Sequence, residues 1–247
     1  LIFLYTGNKN YSNICTIFYL TYPYLLGHSF FNVKDIPFMS VWLVCTFYLI
    51  KILLFYSHSK KIRLKDFLII SILTSYLLSI RISGVLIFLE YFIFFMVFFQ
   101  TYNLNILYFI KSTYKFLISF ILILIPLFYL FHPNYWKNPM LVIESINYMS
   151  HHIQTVCTIT LGECMKAQNL PSTYIPIWLF FKLPVLILVG LLCFPFIEKK
   201  LFTTKKNRFV IGSTLISILI IIFSLIFLKV NLYDELRQIL FLIPINF

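Results

Sequence analysis

The sequence predicts an all-α fold: a polytopic transmembrane helical bundle of about seven full spans plus two clipped ones, with an exterior amphipathic helix. Three observations predict it. The 247-residue chain is 61% hydrophobic and only 11% charged, whereas a soluble domain carries about 25% charged residues. Apolar runs of about 16–23 residues with at most one charge recur along it, the length that a hydrocarbon core of ~30 Å requires. Its cations fall in short clusters between those runs, so the net charge of +12 follows the positive-inside pattern and not that of a nucleic-acid partner.

Taken in order, the spans are residues 1–6 (clipped), 13–26 (short), 38–56, 67–80, 82–99, 116–131, 174–196, 210–228, and 239 onward (clipped). No repeat or low-complexity linker separates them, so residues 1–247 read as a single transmembrane domain, truncated at both ends. No basic flank or cleavage site marks a signal peptide. Phe, Ile, Leu, Tyr and Lys are abundant and alanine is nearly absent, the codon bias of an AT-rich genome.

Orientation follows from the loops. Lys60, Lys61, Arg63 and Lys65, then Lys111 and Lys115, then Lys199, Lys200, Lys205, Lys206 and Arg208 all fall on one side, the cytoplasmic one. The opposite side collects Asp35, Glu144, Glu163, Asp234 and Glu235, five of the eight acidic residues. Residues 132–172 form an exterior loop on that side.

Within that loop Asn138 is a good N-cap and Pro139 suits the first helical position. Leu141, Val142, Ile146 and Met149 then form an apolar face, while Glu144, Asn147, Tyr148 and His151 gather on another. That is an amphipathic helix on the membrane surface, with Tyr135 and Trp136 as interfacial anchors; on these residues alone it serves equally as a surface float. His151 and His152 are adjacent, so on a helix they point about 100° apart and do not make a metal site by themselves.

The span at 67–80 is short, and Arg81 and Gly84 follow it. Two readings stand: a sunken, partly hydrated pocket on the outer side, or an Arg that snorkels from a helix end. Glu90 is half a turn out of phase with Arg81; it is either a functional group at depth or a carboxylate bonded to a neighbouring helix. Asp35 lies at the lip of the outer leaflet beside Lys34, and Asp234 and Arg237 are three apart near another lip. Bare chemistry allows both to be loop anchors. Cys15, Cys45 and Cys193 sit in apolar runs as small buried hydrophobes. Cys157 and Cys164 share the exterior loop, and in an oxidising compartment such a pair can be bridged or free.

Four separated pieces, in order, resemble bacterial membrane glycosyltransferases of the GT-C superfamily, the family 39 or dolichyl-phosphate-mannose-protein-mannosyltransferase-like group. They are "GHSFFNVKDIPF", "SIRISGVL", "HPNYWKNPMLVIESINYMSHH" with "NLPSTYIPIWLFFKLP", and "LYDELRQILFLIP". The corresponding family stretches read like "GHSFNNPKDTPF", "RVGGLL", a "YMSHH" followed by "LPWxYxPxW", and "YDGWRHLYF".

The resemblance implies an inverting transferase that moves a sugar from a polyprenyl-phosphate donor to an acceptor glycan, lipid or protein on the outer face. The setting it implies is a bacterial inner membrane with the site facing the periplasm, or an endoplasmic reticulum with the site facing the lumen. No cofactor is expected, with a divalent metal left open, and the partners are the lipid-linked donor, the acceptor and membrane lipids. The family's main acidic residue, the general base, sits in a first exterior loop that this chain does not contain, so by the resemblance this stretch alone is expected to be inactive. By the same resemblance Asp35 is the catalytic-site carboxylate, lining the site and not acting as the base. Arg81 is the phosphate contact, His151 and His152 line the site, and Asp234 and Arg237 support it. The chain departs from the pattern at Ser172, Lys182 and residues 235–238, which bears on acceptor choice. The alternative reading is a transporter or flippase for a lipid-linked or anionic substrate, using Arg81 and Glu90, or a non-catalytic membrane subunit. A transporter needs its ionisable groups near the midplane, whereas these cluster at one face.

Overall fold

Four helices are long and apolar enough to cross a membrane in the computed structural model, which describes residues 2–150, 157–160, 162–166, 170–230, 232 and 236–246. The chain begins with α1 (Ile2–Thr6), α2 (Lys9–Leu20) and α3 (Pro23–Ser29), and then enters the long helix α4 (Asp35–Ser59). Helix α5 (Leu64–Ile80) returns, a 3₁₀ turn (Ile82–Val85) reverses the chain, and α6 (Leu86–Tyr102) descends. Helix α7 (Ile106–Phe131) rises beside α5, and α8 (Leu141–Ser150) follows. A hairpin of β1 (Cys157–Thr160) and β2 (Glu163–Lys166) precedes α9 (Tyr174–Lys182), α10 (Val185–Leu201) and α11 (Lys205–Phe227). A 3₁₀ segment, Arg237–Asn246, closes the described chain.

The architecture is a helical membrane bundle, as the long continuous apolar runs lead one to expect, since a helix satisfies its own backbone hydrogen bonds without water. The number of long spans is smaller than seven. Helix α5 has 17 residues and α2 has 12, which is ~26 Å and ~18 Å of rise against a ~30 Å core, whereas the 3₁₀ turn runs on into α6 to give 21 residues from Ile82 to Tyr102. The expected span at 174–196 is two helices bent by 112°, which as one broken span brings the total to five among the described residues. Pro184 causes the break: it disfavours helical backbone at Leu183, which is extended at φ −69, ψ 141. The two-stranded hairpin is a local addition to an otherwise helical chain.

Local sequence explains the reversals. The connection from α6 to α7 is only Asn103, Leu104 and Asn105. Asn103 takes the left-handed conformation at φ 49, and the Asn105 side chain accepts from Leu107 N at 2.8 Å. Asparagine does both jobs because its short amide tolerates the left-handed region and caps exposed N–H groups. That cap also starts α7 well before residue 116, so Lys111 and Lys115 belong to the helix.

Helix α5 packs between α4 and α7, α6 packs on α11, and the final 3₁₀ segment lies along α4. The core contains Trp42, Phe94, Phe98, Phe209 and Ile221, all fully buried. Glu90 is also fully buried there: it accepts from Trp42 Nε1 at 2.6 Å and Thr46 Oγ1 at 2.5 Å, tying α6 to α4. Helix α7, by contrast, exposes Ile118, Ile121, Leu122 and Ile125, an apolar face suited to lipid.

Two ends of the bundle result. One carries the start of α4, the junction of α5 with the 3₁₀ turn, the end of α7, and α8. The other carries the α4–α5 and α6–α7 connections and the start of α11. At that second end Lys51 of α4 pairs with Asp66 of α5 at 2.7 Å. Cys164 is disulfide-bonded; the side chain of Cys157 lies outside the described residues.

Candidate functional site

Asp35 opens α4, where a carboxylate is favoured by the helix dipole. Asn32 secures it twice: its Oδ1 accepts from Asp35 N at 3.0 Å, and its Nδ2 donates to Asp35 Oδ2 at 2.8 Å. Arg81 comes from the end of α5, where the backbone turns extended at φ −150, ψ 135. Gly84 makes that turn feasible. A Cβ there would stand 3.2 Å from the Leu77 carbonyl oxygen and 3.4 Å from Leu77 Cγ, so a side chain would push the 3₁₀ turn off α5. Arg237 comes from the far end of the sequence, at the first position of the final 3₁₀ segment.

The three meet. Arg81 Nη1 donates to Asp35 Oδ1, and Arg237 Nε donates to Asp35 Oδ2 at 2.8 Å. Asp35 and Arg81 side chains are 5% and 13% exposed, whereas Arg237 is 41% exposed. The first pair is therefore shielded from water, where a charge-assisted bond is strong. Arg237 is screened and presents more of its guanidinium to the space above.

That space is a cavity of about 810 Å³. Three cations, Lys34, Arg81 and Arg237, line it against two carboxylates, Asp35 and Glu144, and His132 stands beside them. His132 is held by its Nδ1 contact to Phe128 O at 3.0 Å and by stacking on Tyr135. The opposite wall is α8, which contributes Glu144, Ser145 and Tyr148. Asn138 caps the entry to α8 by accepting from Met140 N at 3.1 Å, and Tyr135 OH donates to Ser145 Oγ at 3.1 Å, pinning α8 over the cavity. Glu144 makes no ion pair or hydrogen bond among the described residues, and it is exposed. The cavity thus holds one carboxylate committed to arginines and one that is uncommitted.

A second cavity of about 230 Å³ shares Arg81, Ile82 and Gln238 with the first. Its remaining wall is largely apolar and includes Val85, Leu86, Leu225, Leu228 and Phe241. A charged chamber and a greasy slot therefore meet at Arg81. Arg81 is not a snorkelling side chain at a free helix end: it sits inside a pocket, bonded to another helix. Glu90, by contrast, is the carboxylate bonded to a neighbouring helix, and it is sealed from both cavities.

Of the residues singled out from sequence, Asp35, Arg81 and Arg237 come together within one cluster. His151, His152 and Asp234 lie outside the described residues. His132 and Gln238 line the cavity without any signal in the sequence that would have selected them. Glu144 and Tyr148 did carry one, since they are four apart on the polar face of α8, and that spacing alone did not say what the face looks at. Among the described residues no group of three His, Cys, Asp or Glu side chains converges on a metal position.

A scan against protein-family models finds no match, and searches of curated proteins and of solved structures find none either.

Proposed function

We propose that this chain is a membrane glycosyltransferase of the GT-C kind, which transfers a sugar from a polyprenyl-phosphate donor to an acceptor on the outer face of the membrane. One observation carries the reading: a cation-lined chamber and an apolar slot share the wall made by Arg81, Ile82 and Gln238. A phosphate joined to a sugar on one side and a prenyl chain on the other has that division of polarity. The four sequence pieces that resemble the family include Asp35, Arg81, Glu144 and Arg237, which all line the chamber.

The chemistry assigned to these groups is a single displacement. In place of the first-loop acid that the resemblance implies, the uncommitted Glu144 carboxylate of the chamber takes the acceptor O–H proton while the acceptor oxygen attacks the anomeric carbon. The bond from that carbon to the phosphate oxygen breaks, and its electron pair leaves with the polyprenyl phosphate. Arg81 and Arg237 stabilise the negative charge that develops there. A guanidinium suits this role because it holds two oxygens of a phosphate at once. Asp35 orients both arginines, and its two oxygens are engaged, so it is a positioning carboxylate and not the base.

In the same reading α2 with α3, α5, and the bent pair α9–α10 join the four long helices to give seven crossings, with the chamber facing the periplasm of a bacterial inner membrane. The transporter reading is less well supported, because Glu90, its deep ionisable group, is closed off by Trp42 and Thr46.

The test is binding followed by transfer. Purified protein in nanodiscs should retain a polyprenyl phosphate, and Arg81→Ala should weaken retention by about tenfold or more, the value of one charge-assisted contact. Supplied with polyprenyl-phosphate sugars, the protein carrying Arg81 should form glycosylated acceptor and the variant should not. Equal lipid-phosphate affinity in both proteins would overturn the assignment.

A further inference from the structure

The opposite end of the bundle holds a second amphipathic groove, unrelated to the chamber. It is a cavity of about 560 Å³ between the end of α6 and the start of α11. Its rim is polar: Gln100 and Thr101 from α6, Asn103 just past its end, and Lys205 and Arg208 from α11. Its wall toward the bundle's middle is apolar, made by Val97, Gly212 and Ile216.

The charges at this end are unevenly satisfied. Lys51 is paired with Asp66, Lys60 lies over the Tyr56 ring at 5.7 Å, and Arg63 lies over Phe55 at 3.9 Å. Lys205 and Arg208 have no ion-pair partner among the described residues, and the first turn of α11 contains no acidic residue. Cations at a helix N-terminus oppose the helix dipole, so these two side chains concentrate uncompensated positive potential on the groove.

The apolar wall says what kind of anion fits. Gly212, Ile216, Leu219 and Phe223 fall at helical spacing on one stripe of α11. Ile216, Leu219 and Phe223 are 41%, 66% and 67% exposed, so the stripe runs from the groove onto the outer surface of the bundle. A Cβ at Gly212 would meet only Val97 Cγ1, at an ordinary 3.9 Å, so the space beside this wall is open. A soluble anion has no use for that continuation, whereas an acyl chain does.

We propose that this groove binds an anionic phospholipid, with its phosphate at Lys205 and Arg208 under the Gln100 and Asn103 amides and an acyl chain along Gly212, Ile216 and Leu219. Basic pockets between membrane helices hold lipid headgroups by this combination of charge and apolar contact.

The experiment is native mass spectrometry of the protein released from nanodiscs of equimolar phosphatidylglycerol and phosphatidylcholine. The expected result is retention of phosphatidylglycerol with about tenfold preference, lost in the Lys205→Ala/Arg208→Ala double variant and reduced in Gly212→Leu. Lys60→Ala, at the same end of the bundle but outside the groove, should leave the preference intact. Absence of a preference, or its survival in the double variant, overturns the proposal. So does an equal loss in Lys60→Ala, which would make the preference a general effect of charge at that end. Displacement of the lipid by an equal concentration of glycerol phosphate would also overturn it, by showing that the groove takes a soluble phosphate ester.

Discussion

Arg237 Nε stands 2.8 Å from Asp35 Oδ2, although 202 positions separate the two residues in the chain. With Arg81 on the other carboxylate oxygen, Asp35 ties together the start of α4, the end of α5 and the final 3₁₀ segment. The energetic weight of the two bonds should differ. Arg81 is shielded, so Arg81→Ala leaves a buried carboxylate short of a partner and should cost about 3 kcal/mol. Arg237 is 41% exposed, and solvent screening limits its loss to about 1 kcal/mol or less. Thermal unfolding of both variants in one detergent checks the order, and an equal or reversed order refutes it.

Asp35 also competes with any anionic ligand for its two arginines. Asp35→Asn keeps the shape and removes the charge, so polyprenyl phosphate should bind several-fold more tightly while transfer falls, because the arginines lose their orientation. Titration of lipid phosphate into both proteins reads the first effect. Weaker binding in Asp35→Asn would mean that Asp35 does not restrain the cations.

Glu144 provides the cleanest separation of chemistry from folding. It is exposed and bonded to no described residue, so Glu144→Gln should unfold at the wild-type temperature and bind donor normally. Sugar transfer should drop by about 10²–10⁴-fold, the usual contribution of a general base. Wild-type transfer rates in this variant would remove Glu144 from the mechanism.

Glu90 should behave in the opposite way. In Glu90→Gln the amide oxygen still accepts from Trp42 Nε1, and the amide nitrogen can donate to the Thr46 hydroxyl, so little stability is lost. Glu90→Ala strands the Trp42 N–H, while the Thr46 hydroxyl keeps Trp42 O as an acceptor at 3.1 Å, and it opens a void in the core, costing about 2–4 kcal/mol. If Glu90→Gln proves as damaging as Glu90→Ala, the charge itself is required and the purely structural role fails.

Gly84→Ala tests how the arginine is aimed. A methyl 3.2 Å from Leu77 O forces the 3₁₀ turn away from α5 at about 1–3 kcal/mol. Because Arg81 precedes that turn, donor binding should weaken in parallel with the melting temperature. Full binding in a destabilised Gly84→Ala protein would uncouple the turn from the site.

Much of this molecule was legible as sequence. Hydrophobicity is a local property summed over a window, so the long spans α4, α6, α7 and α11 follow from composition, and the polar face of α8 follows from spacing. The cap at Asn138 is equally local, because its side chain satisfies an N–H two residues away; the cap at Asn105 is as local, but a hydropathy window that opens the span at 116 passes over it. The proline break between α9 and α10 was present in the sequence too, but hydropathy averages across it, and a window rich in Leu and Val reads as one span whether or not it bends by 112°.

What the chain could not declare was which ends meet. Asp35, Arg81 and Arg237 each stood at the edge of an apolar run, and each alone was compatible with a loop anchor. Only the packing of α4 against α5 and of the last 3₁₀ segment against α4 brings them within bonding distance, and only the placement of α8 turns Glu144 toward them. The same holds for Glu90, whose burial is obvious from its neighbours in sequence but whose partners, Trp42 and Thr46, belong to another helix. Sequence determined a helical membrane protein with polar groups at the helix ends, because burial preference and helix periodicity act over a few turns. Tertiary structure alone decided that those groups form a chamber beside an apolar slot, because ion pairs depend on distances between segments that no local pattern encodes.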